Sequence, residues 1–255
     1  MDKLTFVGNG NMAKAIIKAL IGKYEIEVYG RNKQSLKKLQ DQLIQIKTFE
    51  IKDKLNIENK NIILCVKPNS LDDLSLKLEG IANSLYSVLA GITLNTLNEK
   101  IKAKKYIRAM PNLAAAYKKS MTTITGDTDL KENAIEIFNS IGETLWVKSE
   151  KEIDIATAIA GSGPAFLSLI AEALSDGVVS LGLTRLDANK LVQGLFEGFV
   201  PLLQNDKPAN IKDGVMSPGG TTAAGYIALE KNGVRNGMIE AINSAYQKAV
   251  ELGKR

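Results

Sequence analysis

The chain has 255 residues, 45% hydrophobic and 24% charged, which fits one large or two modest globular domains. Its formal charge of +5 comes from lysines mixed with acids, as in KLQDQLIQIK, without the aromatic-interleaved basic patch of a nucleic-acid binder. There is no histidine, which removes the commonest general acid–base and metal ligand. The single Cys65 excludes an internal disulfide and fits a reducing, cytoplasmic setting, and no metal site is expected.

The opening MDKLTFVGNG is strand-like, with no apolar signal region, so no targeting peptide is expected. Residues 3–22 read as strand, tight turn and helix. Leu4, Phe6 and Val7 suit a buried parallel strand, and Gly8, Gly10 and Ala13 form G-x-G-x-x-A. The first glycine allows the turn, the second lets a pyrophosphate reach the backbone, and the small third residue lets helix and sheet pack closely. A helix from about Asn11, stopping near Gly22, would aim its free N–H groups at that phosphate. Gly8, Asn9, Gly10, Asn11 and Met12 are therefore the expected cradle. The next strand, Glu25–Tyr29, completes a βαβ unit.

After that strand an NAD site usually carries Asp or Glu. Here the sequence is YGRN. Arg31 suits a 2′-phosphate and Asn32 could add a donor, so NADP(H) is preferred, with NAD(H) possible. The alternative for Arg31 is an exposed turn residue. SLKKLQDQL reads as helix. Asn61–Val66 is a continuous apolar run, as in a central parallel strand, and it ends in Lys67 and Pro68, where the chain leaves the sheet. Cys65 within it reads as core. Strands are predicted at Tyr86–Gly91, Lys105–Asn112 and Ser120–Thr125, and a helix over Ala134–Ile141. Ligands gather beyond the carboxyl ends of parallel strands. That makes Val66, Lys67, Pro68, Ala90, Gly91, Pro111 and Asn112 candidate walls for the rest of the cofactor. For Lys67 a solvated strand end is an equal alternative.

From about Glu150 the texture becomes helical. Ile153–Leu183 is apolar but interrupted by Gly161, Pro164, Glu172, Asp176 and Gly177, so a buried helix is preferred to a membrane span. A tight turn at Ala160–Gly163 precedes a long helix begun near Pro164, and Gly161–Pro164 reads as either a domain joint or a pocket floor. That helix is apolar nearly all round and needs a core or a second subunit on most faces. Further helices follow: one with Asp187 near its start, one over Ala223–Leu229 that ends before Gly233, and a last one through MIEAINSAYQKAVEL. The fold class is an N-terminal Rossmann-type doubly wound α/β sheet (1–149), then an all-α dimerisation domain (150–255).

SPGGTT, Ser217–Thr222, stands just ahead of the helix at Ala223. By spacing alone it reads as a polar loop with Ser or Thr as N-cap. Together with FVGNGNMAKAI, CVKP, SVLAGI, IRAMPN and AGSGPAF, however, IKDGVMSPGGTTAAGYIALE closely resembles the pyrroline-5-carboxylate reductase family, nearly end to end. The chain departs from the family pattern at Leu113, Ala114 and Ala115, where Thr-Pro-Ala is usual, and in RAMPN for RVMPN.

The resemblance implies NAD(P)H-dependent reduction of the ring C=N of pyrroline-5-carboxylate to L-proline, the last step of proline synthesis. It also implies an interleaved dimer, often in a larger ring. N–H groups at Gly219, Gly220 and Thr221 would hold the substrate carboxylate, with help from the Ser217 hydroxyl. Thr222 matches the family position beside the ring nitrogen and takes the catalytic role. One rival is a β-hydroxyacid dehydrogenase, but residues 165–184 lack the lysine such enzymes use. A deazaflavin-dependent NADP reductase leaves SPGGTT unexplained, and so does a non-catalytic NADP-binding protein.

Overall fold

Strand and helix alternate over the first 146 residues because apolar runs bounded by glycine and capping residues alternate there. The computed structural model describes residues 2–253. β1 (Lys3–Val7), α1 (Asn11–Leu20), β2 (Glu25–Gly30), α2 (Lys33–Gln42) and β3 (Lys47–Glu50) form the first half. Two short pieces, β4 (Leu55–Asn56) and β6 (Leu78–Glu79), pair as a separate two-stranded sheet. The second half runs β5 (Asn61–Leu64), α3 (Leu71–Ser75), β7 (Ser84–Ser87), α4 (Leu94–Lys100) and β8 (Tyr106–Met110). It ends with β9 (Ser120–Gly126), α5 (Lys131–Asn139) and β10 (Gly142–Trp146).

The main sheet has the order β3-β2-β1-β5-β7-β8-β9-β10. β3 through β8 are parallel, as expected of a doubly wound sheet. The chain order reverses between β1 and β5, where such sheets open a cleft at their carboxyl ends. Alternate residues feed two cores. Leu4, Phe6 and Ile63 pack with α1, α2 and α5 on one face, while Val7, Ile62 and Leu64 pack with α3 and α4 on the other.

Two strand predictions need correction, and one strand runs in a sense the sequence leaves open. β9 is antiparallel to β8, and β10 returns parallel to β9. The strand predicted at Tyr86–Gly91 lies at Ser84–Ser87, and Val88–Gly91 leaves the sheet. The run through Val66 stops pairing at Leu64. The apolar pattern marks burial, and the partly buried exit loops carry it as well as the strands do.

The expected turn at Ala160–Gly163 is instead helical. α6 (Glu150–Ala156) passes through a π-helical turn, Thr157–Gly161, into α7 (Gly163–Ser180). Pro164 falls in the first turn of α7, where its missing N–H is not needed. α8 (Arg185–Asn205) is N-capped by the Thr184 hydroxyl, which accepts the Asp187 N–H. α9 (Pro208–Val215), α10 (Thr221–Lys231) and α11 (Val234–Gly253) complete the chain.

Two compact units result: residues up to Gly161 with those from Ala245 on, and Ser162–Ser244. The first owns the sheet and both cores. In the second, Leu167, Leu169, Leu174, Leu191, Leu195, Phe199 and Ile227 are exposed on the single chain. Glu150–Ser180 is long and apolar enough, by length and composition, to cross a membrane, with 17% of its most apolar window buried.

Candidate active site

The glycine turn after β1 is built as the sequence predicts, but its two glycines differ in kind. Gly8 is buried with φ +113°. Its N–H donates to the Tyr29 carbonyl at 2.8 Å, and the Cys65 N–H donates to the Val7 carbonyl at 2.8 Å. A methyl group on Gly8 would lie 2.4 Å from the Cys65 carbonyl oxygen. Gly8 thus allows three strand ends to close together. Gly10 caps α1 with an ordinary φ of −73°, and a methyl there would meet nothing within 4 Å. The space in front of Gly10 is open at a helix N-terminus with no acid in its first turn, which fits an approaching pyrophosphate. Ala13 is buried, as close helix–sheet packing requires.

A cavity of about 580 Å³ opens here. Gly8, Asn9 and Gly10 line it from the turn, Arg31 and Asn32 from the end of β2, and Val66 and Lys67 from the exit of β5. These seven predicted residues come together in one cleft. Asn11, Met12 and Asn112 instead line a neighbouring hollow of about 330 Å³ between α1 and the 3₁₀ turn Leu113–Tyr117. Pro68, Ala90 and Gly91 line neither. Gly91 (φ +72°) is packed against α11, where a methyl would come 2.9 Å from Leu252 Cβ. Cys65 is half-buried and lines the cleft rather than sitting wholly in the core, and desolvation pushes its thiol above the usual range.

Several of these polar side chains already have partners. The Asn32 side-chain oxygen accepts the Ser35 N–H at 2.9 Å and caps α2. The Asn9 amide donates to the Ser35 hydroxyl at 2.6 Å, tying the glycine turn to α2. Asn112 is engaged at both ends: its Oδ1 accepts the Ala114 N–H at 3.0 Å and its Nδ2 donates to the Ala160 carbonyl at 2.9 Å. That second bond satisfies a carbonyl of the π-helical turn. Arg31 is exposed at the cleft, and its Nη2 donates to the Ser70 hydroxyl at 3.3 Å.

Sequence reasoning missed the far wall. Ile51, Leu74 and Leu76 give an apolar surface, and Ser70, Asp73 and Lys77 add polar groups. They come from loops and the short α3, where no motif marks them. Tyr29 also lines the cleft, with its hydroxyl pushed upward chiefly by burial.

In the helical unit, Ser217–Gly220 forms a hydrogen-bonded turn. The Gly220 N–H donates to the Ser217 carbonyl at 3.0 Å, and Gly219 takes φ +70°, the type II pattern for Pro-Gly at the centre. This corrects one assignment: the Gly220 N–H is spent in the turn. Gly220 then caps α10, and the first helical bond of that cap is from the Ala224 N–H to the Gly220 carbonyl at 3.2 Å. The N–H groups of Thr221, Thr222 and Ala223 precede it, and α10 has no acid in its first turn. The Ser217 side chain folds back over Gly220, so that a methyl there would lie 2.5 Å from Ser217 Oγ.

Residues 150–252 match the pyrroline-5-carboxylate reductase dimerisation family, and residues 3–90 match the NADP oxidoreductase, coenzyme F420-dependent family. The pyrroline-5-carboxylate reductase of Helicobacter pylori strain J99 is 34% identical over 97% of this chain and 99% of its own length. The chain belongs to the pyrroline-5-carboxylate reductase family. Its fold agrees: the crystal structure of 1-pyrroline-5-carboxylate reductase from Streptococcus pyogenes has a TM-score of 0.86 at 29% identity, covering 98% of both chains. The Plasmodium falciparum pyrroline carboxylate reductase with NADP bound has a TM-score of 0.79 at 30% identity, covering 99% of this chain and 98% of its own. The deazaflavin rival is favoured over the first third only. The whole-chain relatives and the dimerisation match decide against it. Within the family, the helical half is a self-association unit, which accounts for its exposed apolar side chains.

Proposed function

We propose that this chain reduces the ring C=N of 1-pyrroline-5-carboxylate to L-proline at the expense of NADPH, with NADH as a weaker donor. The observation that carries the reading is the presence, in one chain with full-length reductase relatives, of an arginine-marked dinucleotide cleft and the Ser217–Thr222 turn. The cleft fits the cofactor: bare backbone at Gly10, an open helix N-terminus, an apolar wall, and Arg31 for a 2′-phosphate.

Bound NAD(P)H supplies the hydride. The protein's own tasks are binding and orientation. The N–H groups of Gly219 and Thr221–Ala223 hold the substrate carboxylate through charge-assisted hydrogen bonds. Thr222 Oγ1 hydrogen-bonds the ring nitrogen. No histidine serves as acid, and the cyclic imine is basic enough to carry its own proton from solvent. Orientation of this kind contributes on the order of 7–11 kcal/mol to lowering a barrier.

Functionally, residues 1–149 are the cofactor domain and 150–255 the substrate and dimerisation domain. The exposed apolar faces of α7 and α8 are covered by a second copy, and dimers assemble into a ring in the cytoplasm. Nucleic acid and membrane are not partners.

The test is NADPH oxidation by the purified chain with synthetic pyrroline-5-carboxylate, beside a panel of β-hydroxy acids with NADP. Turnover with the imine alone supports the reading. Turnover with hydroxy acids alone overturns it.

A further inference from the structure

The three other arginines among the described residues are paired with carboxylates: Arg108 with Glu150 and Asp154, Arg185 with Asp176, and Arg235 with Glu230. Arg31 differs. It makes no ion pair among the described residues, and its partner is the neutral hydroxyl of Ser70, 39 positions away in sequence.

The backbone around Arg31 is fixed on both sides. The Gly30 carbonyl accepts the Ile51 N–H at 2.9 Å, and Asn32 caps α2. Only the long, exposed side chain of Arg31 remains to be oriented, and long side chains lose rotamer freedom when ordered. Ser70 stands on a rigid support. It closes the 3₁₀ turn Pro68–Ser70, where Pro68 fixes one dihedral and the Ser70 N–H donates to the Lys67 carbonyl at 2.9 Å. Both residues line the same cleft, from the β2 side and the β5 side.

A hydroxyl partner has a particular consequence. It takes one of the five guanidinium N–H groups and leaves the rest of the fork, and the whole positive charge, for a ligand. A carboxylate partner would neutralise that charge. Asp73 lies three residues beyond Ser70 and lines the same cleft, yet the side-chain partner of Arg31 among the described residues is the Ser70 hydroxyl.

We propose that Ser70 is a positioning residue that holds the Arg31 guanidinium across the cleft, so that selectivity for an adenosine 2′-phosphate depends on this pair. The proposal deepens the NADP reading given above and rests on it.

The test uses nucleotide fragments and calorimetry on the full chain, so it does not depend on turnover. The parent, Ser70→Ala, Ser70→Thr and Arg31→Met are titrated with 2′,5′-ADP and with 5′-AMP. The parent is expected to bind 2′,5′-ADP more tightly. Ser70→Ala should weaken 2′,5′-ADP by about threefold, as for loss of one exposed hydrogen bond, and leave 5′-AMP unchanged. Ser70→Thr should restore the parent value, and Arg31→Met should abolish the preference. A Ser70→Ala variant that keeps the full preference overturns the proposal alone, as does one that weakens both nucleotides equally. A parent without any preference overturns the NADP reading and takes this proposal with it.

Discussion

Replacing Gly8 and Gly10 separately by alanine separates two duties that one motif combines. At Gly8 the new methyl would sit 2.4 Å from the Cys65 carbonyl oxygen and 2.6 Å from its carbon, and both are backbone atoms of a neighbouring strand end. Neither can rotate away. The backbone there also has φ +113°, which an L-residue rarely adopts. Strain of this kind costs on the order of 1–3 kcal/mol. Overpacking against a fixed wall adds about 1–3 kcal/mol more. Gly8→Ala should therefore lose about 2–6 kcal/mol of a total typically near 5–15. At Gly10 the methyl meets nothing and φ is ordinary, so the cost is no more than about 1 kcal/mol, the N-cap preference for glycine over alanine. That methyl does occupy the approach to the helix N-terminus. Dinucleotide binding should weaken by about tenfold or more, or about 1.4 kcal/mol. Urea unfolding without cofactor measures the first effect, and calorimetric titration with NADPH measures the second. A Gly10→Ala variant as unstable as Gly8→Ala, or one that binds NADPH like the parent, would refute this division of roles.

Four further outcomes are expected. Thr222→Ala should lower kcat by about tenfold or more, a loss of about 1.4 kcal/mol in transition-state stabilisation, with a smaller change in KM for the imine; the reverse split in steady-state kinetics would remove Thr222 from the ring nitrogen. Gly220→Val must displace the Ser217 side chain, whose Oγ lies 2.5 Å from the new Cβ, and should raise KM chiefly, checked in the same assay. Arg108→Met leaves Glu150 and Asp154 without their nearly buried partner and should cost about 3 kcal/mol in urea unfolding. Glu27 should make stability acid-sensitive. Burial pushes its carboxyl up, but the hydrogen bond from Lys3 and the charges of Lys60 and Lys3 outweigh that and hold it below its ordinary 4.5. Its stabilisation is then present above that value and lost as pH falls through the lower folded one. Urea midpoints from pH 6 to pH 3 should fall less steeply in Glu27→Gln than in the parent.

What was legible in the sequence was what local chemistry enforces. GNGNMA announces its turn because φ and close approach dictate glycine at Gly8 and open space favours it at Gly10. Pro164 announces a helix start through the N–H it lacks, and Asp187 marks another, though its cap, Thr184, was not foreseen. The direction of β9 was not legible, since an apolar run is the same read either way and only its pairing with β8 sets its sense. β3 and β10 were missed because they are short and largely unburied. The π-helical turn was read as a break because Gly161 and Pro164 are poor helix formers. A carbonyl satisfied by Asn112, 48 residues away, is invisible along the chain. For the same reason the cap made by the Asn32 Oδ1 and the two ties of the Asn112 side chain to the backbone were not foreseen. Ser70 belongs to no motif and is marked only by the arginine it holds.

In the proposed reaction the peptide nitrogens that open α10 hold the substrate carboxylate. A crystal structure of the dimer with NADP and L-proline tests it most directly. The proline carboxylate should sit within hydrogen-bond distance of the Thr221, Thr222 and Ala223 N–H groups, with its ring nitrogen beside Thr222 Oγ1. Proline bound with its carboxylate on side chains elsewhere, and those N–H groups facing solvent, would contradict the account.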